Sequence, residues 1–169
     1  MRLPVLFALA FTLVACDSGR PSAPARNAPE AGIEVRFPVA VGRPVVNLRL
    51  AVTDLEKARG LMGTAQMADT EGMAFLYERA QQASFWMKDT PLDLDIAFVS
   101  AEGVILEVRT MRALDLTAVE SKSDDVRLAV EMPAGWFERQ RVTAGARVDL
   151  EAVRLGLTAR GFDPKRYLP

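Results

Sequence analysis

Trp86 and Lys88, two places apart in Phe85-Trp86-Met87-Lys88-Asp89-Thr90, are the residues of this chain best equipped to hold a ligand. On a strand they share one side, while Phe85 and Met87 share the other. An indole stacks on a sugar or another flat face, and an ammonium holds a carboxylate or phosphate. The competing reading places Trp86 in the second half of a two-sided core, with the Lys88 stem snorkelling to water. Arg59 before Gly60-Leu61-Met62, Asp95 before Ile96, and Glu131 between Val130 and Met132 are further charges set among apolar neighbours. Arg59, Trp86, Lys88, Asp95 and Glu131 form the candidate ligand-binding set. Asp95, Glu131 and Asp89 are also the candidates for acid–base chemistry, because two carboxylates in one cleft can act as general acid and base. Equally, Asp95 and Glu131 are solvent-facing by alternation, or part of a partly buried charge network that fixes packing.

The absences narrow the chemistry. The chain has no histidine, which excludes Ser-His-Asp and Cys-His catalysis and His-ligated metals. A single cysteine excludes an intrachain disulfide and a thiolate cluster. No cofactor or metal is expected, and a metal would have to be a hard cation held by oxygens. Met62, Met67, Met73 and Met87 read as fillers of core gaps rather than as a copper cluster. Gly60, Gly63 and Gly72 read as turn residues with positive φ, since no phosphate-loop template fits them. The net charge is −1, the pI is about 5.6, and the basic residues are scattered, so no nucleic-acid partner is expected.

These residues must be positioned by strands. Period-two alternation runs through Val46–Val52, Leu94–Phe98, Val104–Val108, Val126–Met132 and Val148–Ala152. Met73–Tyr77 and Ser84–Lys88 are further strand candidates, and Ser100-Ala101-Glu102-Gly103 reads as a hairpin loop. Thr53 or Asp54 caps a short helix carrying Leu55, Ala58 and Leu61, and Pro133 opens a turn through Trp136 and Phe137. The spacing therefore predicts a mainly β, single-domain sandwich or closed barrel of about seven to nine short strands with one or two short helices. After Val153 a short helix followed by coil is expected.

The first residues read as an address. Leu3 to Leu13 is an apolar run too short to span a membrane but suited to a secretory signal. It ends in Leu13-Val14-Ala15-Cys16, which resembles the lipobox of bacterial lipoproteins, where Cys16 would be lipidated. Residues 17–32 are rich in Ser, Ala, Gly and Pro and read as a tether. The expected organisation is a signal peptide over 1–15, lipidated Cys16 and linker over 16–32, a β domain over 33–155, and a tail over 156–169. Acyl chains at Cys16 would make a membrane the partner, with the folded part in the bacterial cell envelope facing the periplasm or exterior.

Four segments in order, Arg59-Gly60-Leu61-Met62, Glu71-Gly72-Met73, Phe85 to Thr90 with Leu94-Asp95-Ile96, and Val130 to Trp136, resemble domain-of-unknown-function family 192. The resemblance covers about residues 45–150. It implies a small β-sandwich, often secreted or lipid-anchored, with no established activity. Val142 to Val148 resembles the family's closing segment, and the chain departs from the family pattern at Asp93, where a Pro is usual, and at Ala146 in that closing segment, where an Asp is usual. The connection from Met111 to Asp125 also lacks the Pro and Cys often seen there. The expectation is a lipid-anchored binding module for a small polar or sugar-like ligand, or for an envelope partner. The alternatives are a histidine-free, carboxylate-based hydrolase or lyase, and a scaffold without a pocket.

Overall fold

Alternating apolar residues build a six-stranded sheet with a core on each face. The computed structural model describes residues 32–168, so the expected signal peptide, Cys16 and nearly all of the linker lie outside it. The strands are β1 (Arg36–Ala40), β2 (Val45–Ala51), β3 (Glu71–Gln81), β5 (Leu94–Val99), β6 (Ile105–Met111) and β8 (Val126–Pro133), in the order β1-β2-β3-β8-β5-β6. Only β2 and β3 run parallel, and α1 (Asp54–Arg59) lies in the connection between them. Two-residue strands β4 (Ser84–Phe85) and β7 (Val119–Glu120) pair as a separate ribbon. The large sheet is not closed into a barrel. Isolated bridges Val41–Val148 and Val104–Arg147 instead tie the segment before the last helix to the β1 and β6 sides. The chain is thus a mainly β, sandwich-like single domain.

One core layer gathers Leu48, Leu50, Ala97, Val130 and Met132 beneath Trp136, Phe137, Val153 and Leu157. The other gathers Met73, Phe75, Ile96, Phe98 and Ala129 beneath Leu61, Ala83 and Met87. Helices α2 (Trp136–Arg139) and α3 (Leu150–Ala159) belong to the first side, while α1's exit loop and the β4 region belong to the second. Trp136 and Phe137 meet edge to face at 5.0 Å in the interior, which fixes the turn after Pro133 against the sheet.

Four expectations change. The segment Val148–Ala152 is no strand. Asp149 accepts from the backbone N–H of Glu151 and Ala152 and caps α3, whose buried Val153, Gly156 and Leu157 follow helical spacing. A three-residue alternation at a helix start fits either period, so the cap decides. Residues past 155 also belong to the packed fold, because Leu157, Tyr167 and Leu168 are buried in the first core. The α1 stripe fails as well: Leu55 is 81% exposed and no α1 residue is buried, although Thr53 and Glu56 form the capping box. Finally, Gly60 and Gly63 have positive φ, but Gly72 sits within β3 without it. A Cβ at Gly72 would lie 2.4 Å from the Glu131 carbonyl oxygen, so close approach of β3 to β8 requires this glycine.

Candidate functional site

On the second face, α1 and its exit loop stand opposite the stretch that follows β4. Between them lies a cavity of about 250 Å3. Arg59, Trp86, Lys88 and Glu131 all line it, with Phe75 and Tyr77 among the sheet residues that contribute. Asp95 does not.

The wall made by residues 84–90 is only briefly a strand. Regular pairing stops after Phe85, so the expected strand Ser84–Lys88 shrinks to two residues. The alternation nevertheless persists. Phe85 packs edge-on to Phe75 at 5.0 Å and tilted to Phe98 at 5.9 Å, and Met87 is buried. Trp86 is 53% exposed and Lys88 is exposed. The indole therefore stands at the cavity rim, and it also borders a second hollow formed with Leu116 and Ala118. Backbone bonds hold this wall in place. Met87 N–H donates to Asp115 O (2.9 Å), and Leu114 N–H donates to Thr90 O (3.0 Å). Gly63 N–H donates to Asp89 O (2.7 Å), linking the two cavity walls. Asp89 has φ +53, is exposed, and pairs with Lys88 at 3.3 Å.

Opposite, α1 is anchored from below. Glu56 accepts from the Val52 and Thr53 backbone N–H groups (2.9 Å each) and from the Arg160 guanidinium, which also donates to the Leu50 carbonyl. Burial pushes the Glu56 carboxyl upward, but the hydrogen bonds from Arg160, Thr53 and Val52 outweigh it and hold the group below its ordinary range. From this base Lys57 reaches over the Tyr77 ring (5.3 Å to the centroid) and pairs with Asp54 at 3.0 Å. Arg59, the last residue of the helix, lines the cavity, and its guanidinium has no ion pair or hydrogen bond among the described residues.

The cavity reaches down to Glu131, which is 4% exposed. Its carboxyl makes no hydrogen bond among the described residues. Burial pushes its pKa up to about 8, with the charge of Arg49 pulling the other way. Arg49 itself is engaged elsewhere, 3.4 Å from Glu34, and its Nε is buried without a partner. Burial, and secondarily the Glu131 charge, raises the Tyr77 phenol pKa. A neutral carboxyl at the base of a hollow can donate one hydrogen bond and accept another. Tyr77 and Arg49 were not singled out in the sequence; the odd-numbered alternation they share with Met73 across β2 and β3 is the signal that places them on this side.

Asp95 tells a different story. Its Oδ1 accepts from Thr110 Oγ1 and its Oδ2 from Gly135 N–H, each at 2.8 Å, and it is 5% exposed. In register Asp95 faces Met132, and Ile96 faces Glu131. Successive residues of a strand point to opposite faces. Asp95 and Glu131 are therefore on opposite sides of the sheet, and the two-carboxylate cleft they were candidates for does not exist. Asp93, the departure from the usual Pro, accepts from the Ala113 backbone N–H at 2.6 Å and from Arg112 at 3.2 Å, pinning the 112–114 loop to the start of β5. Those bonds, led by the one from Ala113, hold its carboxyl below the ordinary range. No group of three or more carboxylates gathers as metal ligands among the described residues.

Comparison with known proteins agrees with this architecture. A proposed transcription regulator from Sinorhizobium meliloti 1021 is 31% identical, with a TM-score of 0.59 over 68% of this chain and 89% of its own. A protein of unknown function from Novosphingobium aromaticivorans DSM 12444 is 27% identical, with a TM-score of 0.64 over 83% of this chain and 99% of its own. No match was found among curated proteins. The family model DUF192, described as Uncharacterized ACR, matches residues 38–150, a span holding both walls of the cavity and Glu131. The chain belongs to domain-of-unknown-function family 192.

Proposed function

We propose that this protein is a membrane-anchored extracytoplasmic lipoprotein whose cavity binds a small polar, sugar-like ligand. One observation carries the binding reading: a half-exposed Trp86 stands at the rim of a 250 Å3 cavity lined by Lys88, Arg59 and a buried Glu131 without a hydrogen-bond partner. A volume of this size, below that of typical drug pockets, matches a single ring rather than a polymer. An exposed indole stacks on a ring face, and fixed polar groups below it set orientation.

The test uses intrinsic fluorescence. Only two tryptophans are present, and Trp136 is buried in the opposite core, so the change on adding saccharides or cell-wall fragments reports on Trp86. Saturable quenching or blue shift in the wild type, absent in Trp86→Phe, is the expected result. A folded wild type with no response to the panel overturns the reading. Anchoring is tested separately. Cys16 should take up a labelled fatty acid in a bacterial host, and Cys16→Ser should abolish both labelling and membrane fractionation.

The carboxylate-hydrolase alternative has lost its pair, since Asp95 faces away and Asp89 is an exposed partner of Lys88. An envelope-protein partner keeps one supporting observation: exposed Leu114 and Leu116 lie on the loop bonded to the Trp86 wall. Site-directed crosslinking at Leu116 in cells distinguishes it, giving a discrete adduct only if a protein docks there. The transcription-regulator description belongs to the Sinorhizobium protein. The net charge of −1 and scattered basic residues of this chain offer no reason to transfer it.

A further inference from the structure

We infer that the cavity selects an acidic sugar-like molecule, a ring bearing a carboxylate, and that Glu131 recognises it as a neutral hydrogen-bond donor. The inference rests on the binding reading above and adds the charge of the ligand. Among the described residues, three cations, Lys57, Arg59 and Lys88, line the cavity, and Glu131 is the only acid that does. Lys57 and Lys88 are half compensated by Asp54 and Asp89, which do not line it, whereas Arg59 has no partner among the described residues. Guanidinium- and ammonium-bearing residues around one hollow favour an anion, and a guanidinium is the fork that matches a carboxylate.

Glu131 completes the arrangement. Its carboxyl opens onto the cavity and takes no hydrogen bond from the described residues, so it is free to meet a ligand group there. An ionised Glu131 would repel a ligand carboxylate, while a protonated one donates to it. The groups facing it are Arg49 from β2, Tyr77 from β3, Lys57 and Arg59 from α1, and Lys88 from the opposite wall. β5 contributes only the apolar Leu94, Ile96 and Phe98 on this side, and Asp95 points away. Burial is the dominant influence on the proton and keeps it on Glu131 through neutral pH. The ligand's own carboxylate stays ionised there, so one proton is shared between the two carboxyl groups and none has to be supplied during binding.

Three matched monosaccharides separate this claim from sugar binding in general: glucuronate, glucose and glucosamine, titrated calorimetrically at pH 6.5 and pH 9.5. Glucuronate should bind at least tenfold more tightly than glucose at pH 6.5, with glucosamine weakest. Its affinity should fall about tenfold for each pH unit above 8, and the fall should vanish in Glu131→Gln, which keeps a donor without a titrating proton. Should Glu131→Gln fail to fold, Arg59→Gln with Lys88→Gln, both at exposed positions, must erase the preference, so that glucuronate binds no more tightly than glucose. Equal binding of glucose and glucuronate overturns the acidic-ligand claim and leaves sugar binding standing. A preference for glucosamine also overturns it. Silence from all three sugars, with a normal response to larger cell-wall fragments, overturns the claim as well; silence from every probe takes the binding reading down with it.

Discussion

Asp95 and Glu131 occupy neighbouring strands one register step apart, equally buried, and yet they do opposite things. On the side of the sheet covered by α2 and α3, each oxygen of Asp95 is filled, one by Thr110 and one by Gly135, so the carboxylate closes the turn after Pro133. On the side covered by α1's exit loop and the β4 wall, the carboxyl of Glu131 meets open space. The difference teaches that burial of a carboxyl group does not mark a site. What makes Glu131 the candidate is that its carboxyl opens onto a cavity.

Substitutions can break or sharpen this contrast. The largest effect is expected at Asp95→Ala, which strands the Gly135 N–H and the Thr110 hydroxyl and should lower unfolding free energy by about 2–5 kcal/mol in urea. The folded fraction should still respond to sugar. If binding is lost in protein that remains folded, the two faces are not independent.

The next effect is a pH slope. Folded Glu131 keeps its proton to about pH 8, whereas the unfolded chain releases it near 4.5. Between those values unfolding releases a proton, so its contribution to stability is full below 4.5 and is lost as pH rises to about 8. Wild-type stability should therefore fall by up to about 1.4 kcal/mol per pH unit from this group. Glu131→Gln should remove that component, which denaturant melts at pH 5, 6 and 7 would reveal. A parallel slope in both proteins would mean that Glu131 is ionised in the fold.

Smaller still in stability is Trp86→Ala, expected to change unfolding free energy by about 0.5 kcal/mol or less because half of the indole is already in water, while weakening ligand binding tenfold or more. A loss of several kcal/mol would make Trp86 a core residue. Smallest is Asp89→Asn. It removes an exposed ion pair contributing at most about 0.5 kcal/mol, and asparagine tolerates the left-handed backbone there.

Much of the fold was legible in the sequence. The alternation at Val46–Val52, Leu94–Phe98 and Val126–Met132 marks three strands of the sheet, and Ser100 to Gly103 marks its hairpin loop. The helix expected after Val153 is α3, but its start was not legible, because Val148, Leu150 and Ala152 satisfy a period of two as well as the opening of a helix, and Asp149 as a cap becomes visible only in the bonds it accepts. Four of the five proposed ligand residues line one cavity because Arg59, Trp86, Lys88 and Glu131 happen to sit on the same side of the sheet. Parity within a strand was readable, but parity between β5 and β8 depends on their register. A shift of one position would have put Asp95 beside Glu131.

The family match ends at residue 150, but the guanidinium that steadies α1 comes from Arg160. One cavity wall thus takes its footing from a part of the chain that the shared family core does not include. A shortened protein ending near residue 155 would lose that footing together with the buried Leu157, Tyr167 and Leu168. A change in the segment that carries Arg160 would therefore move that wall without altering a single residue that lines the hollow.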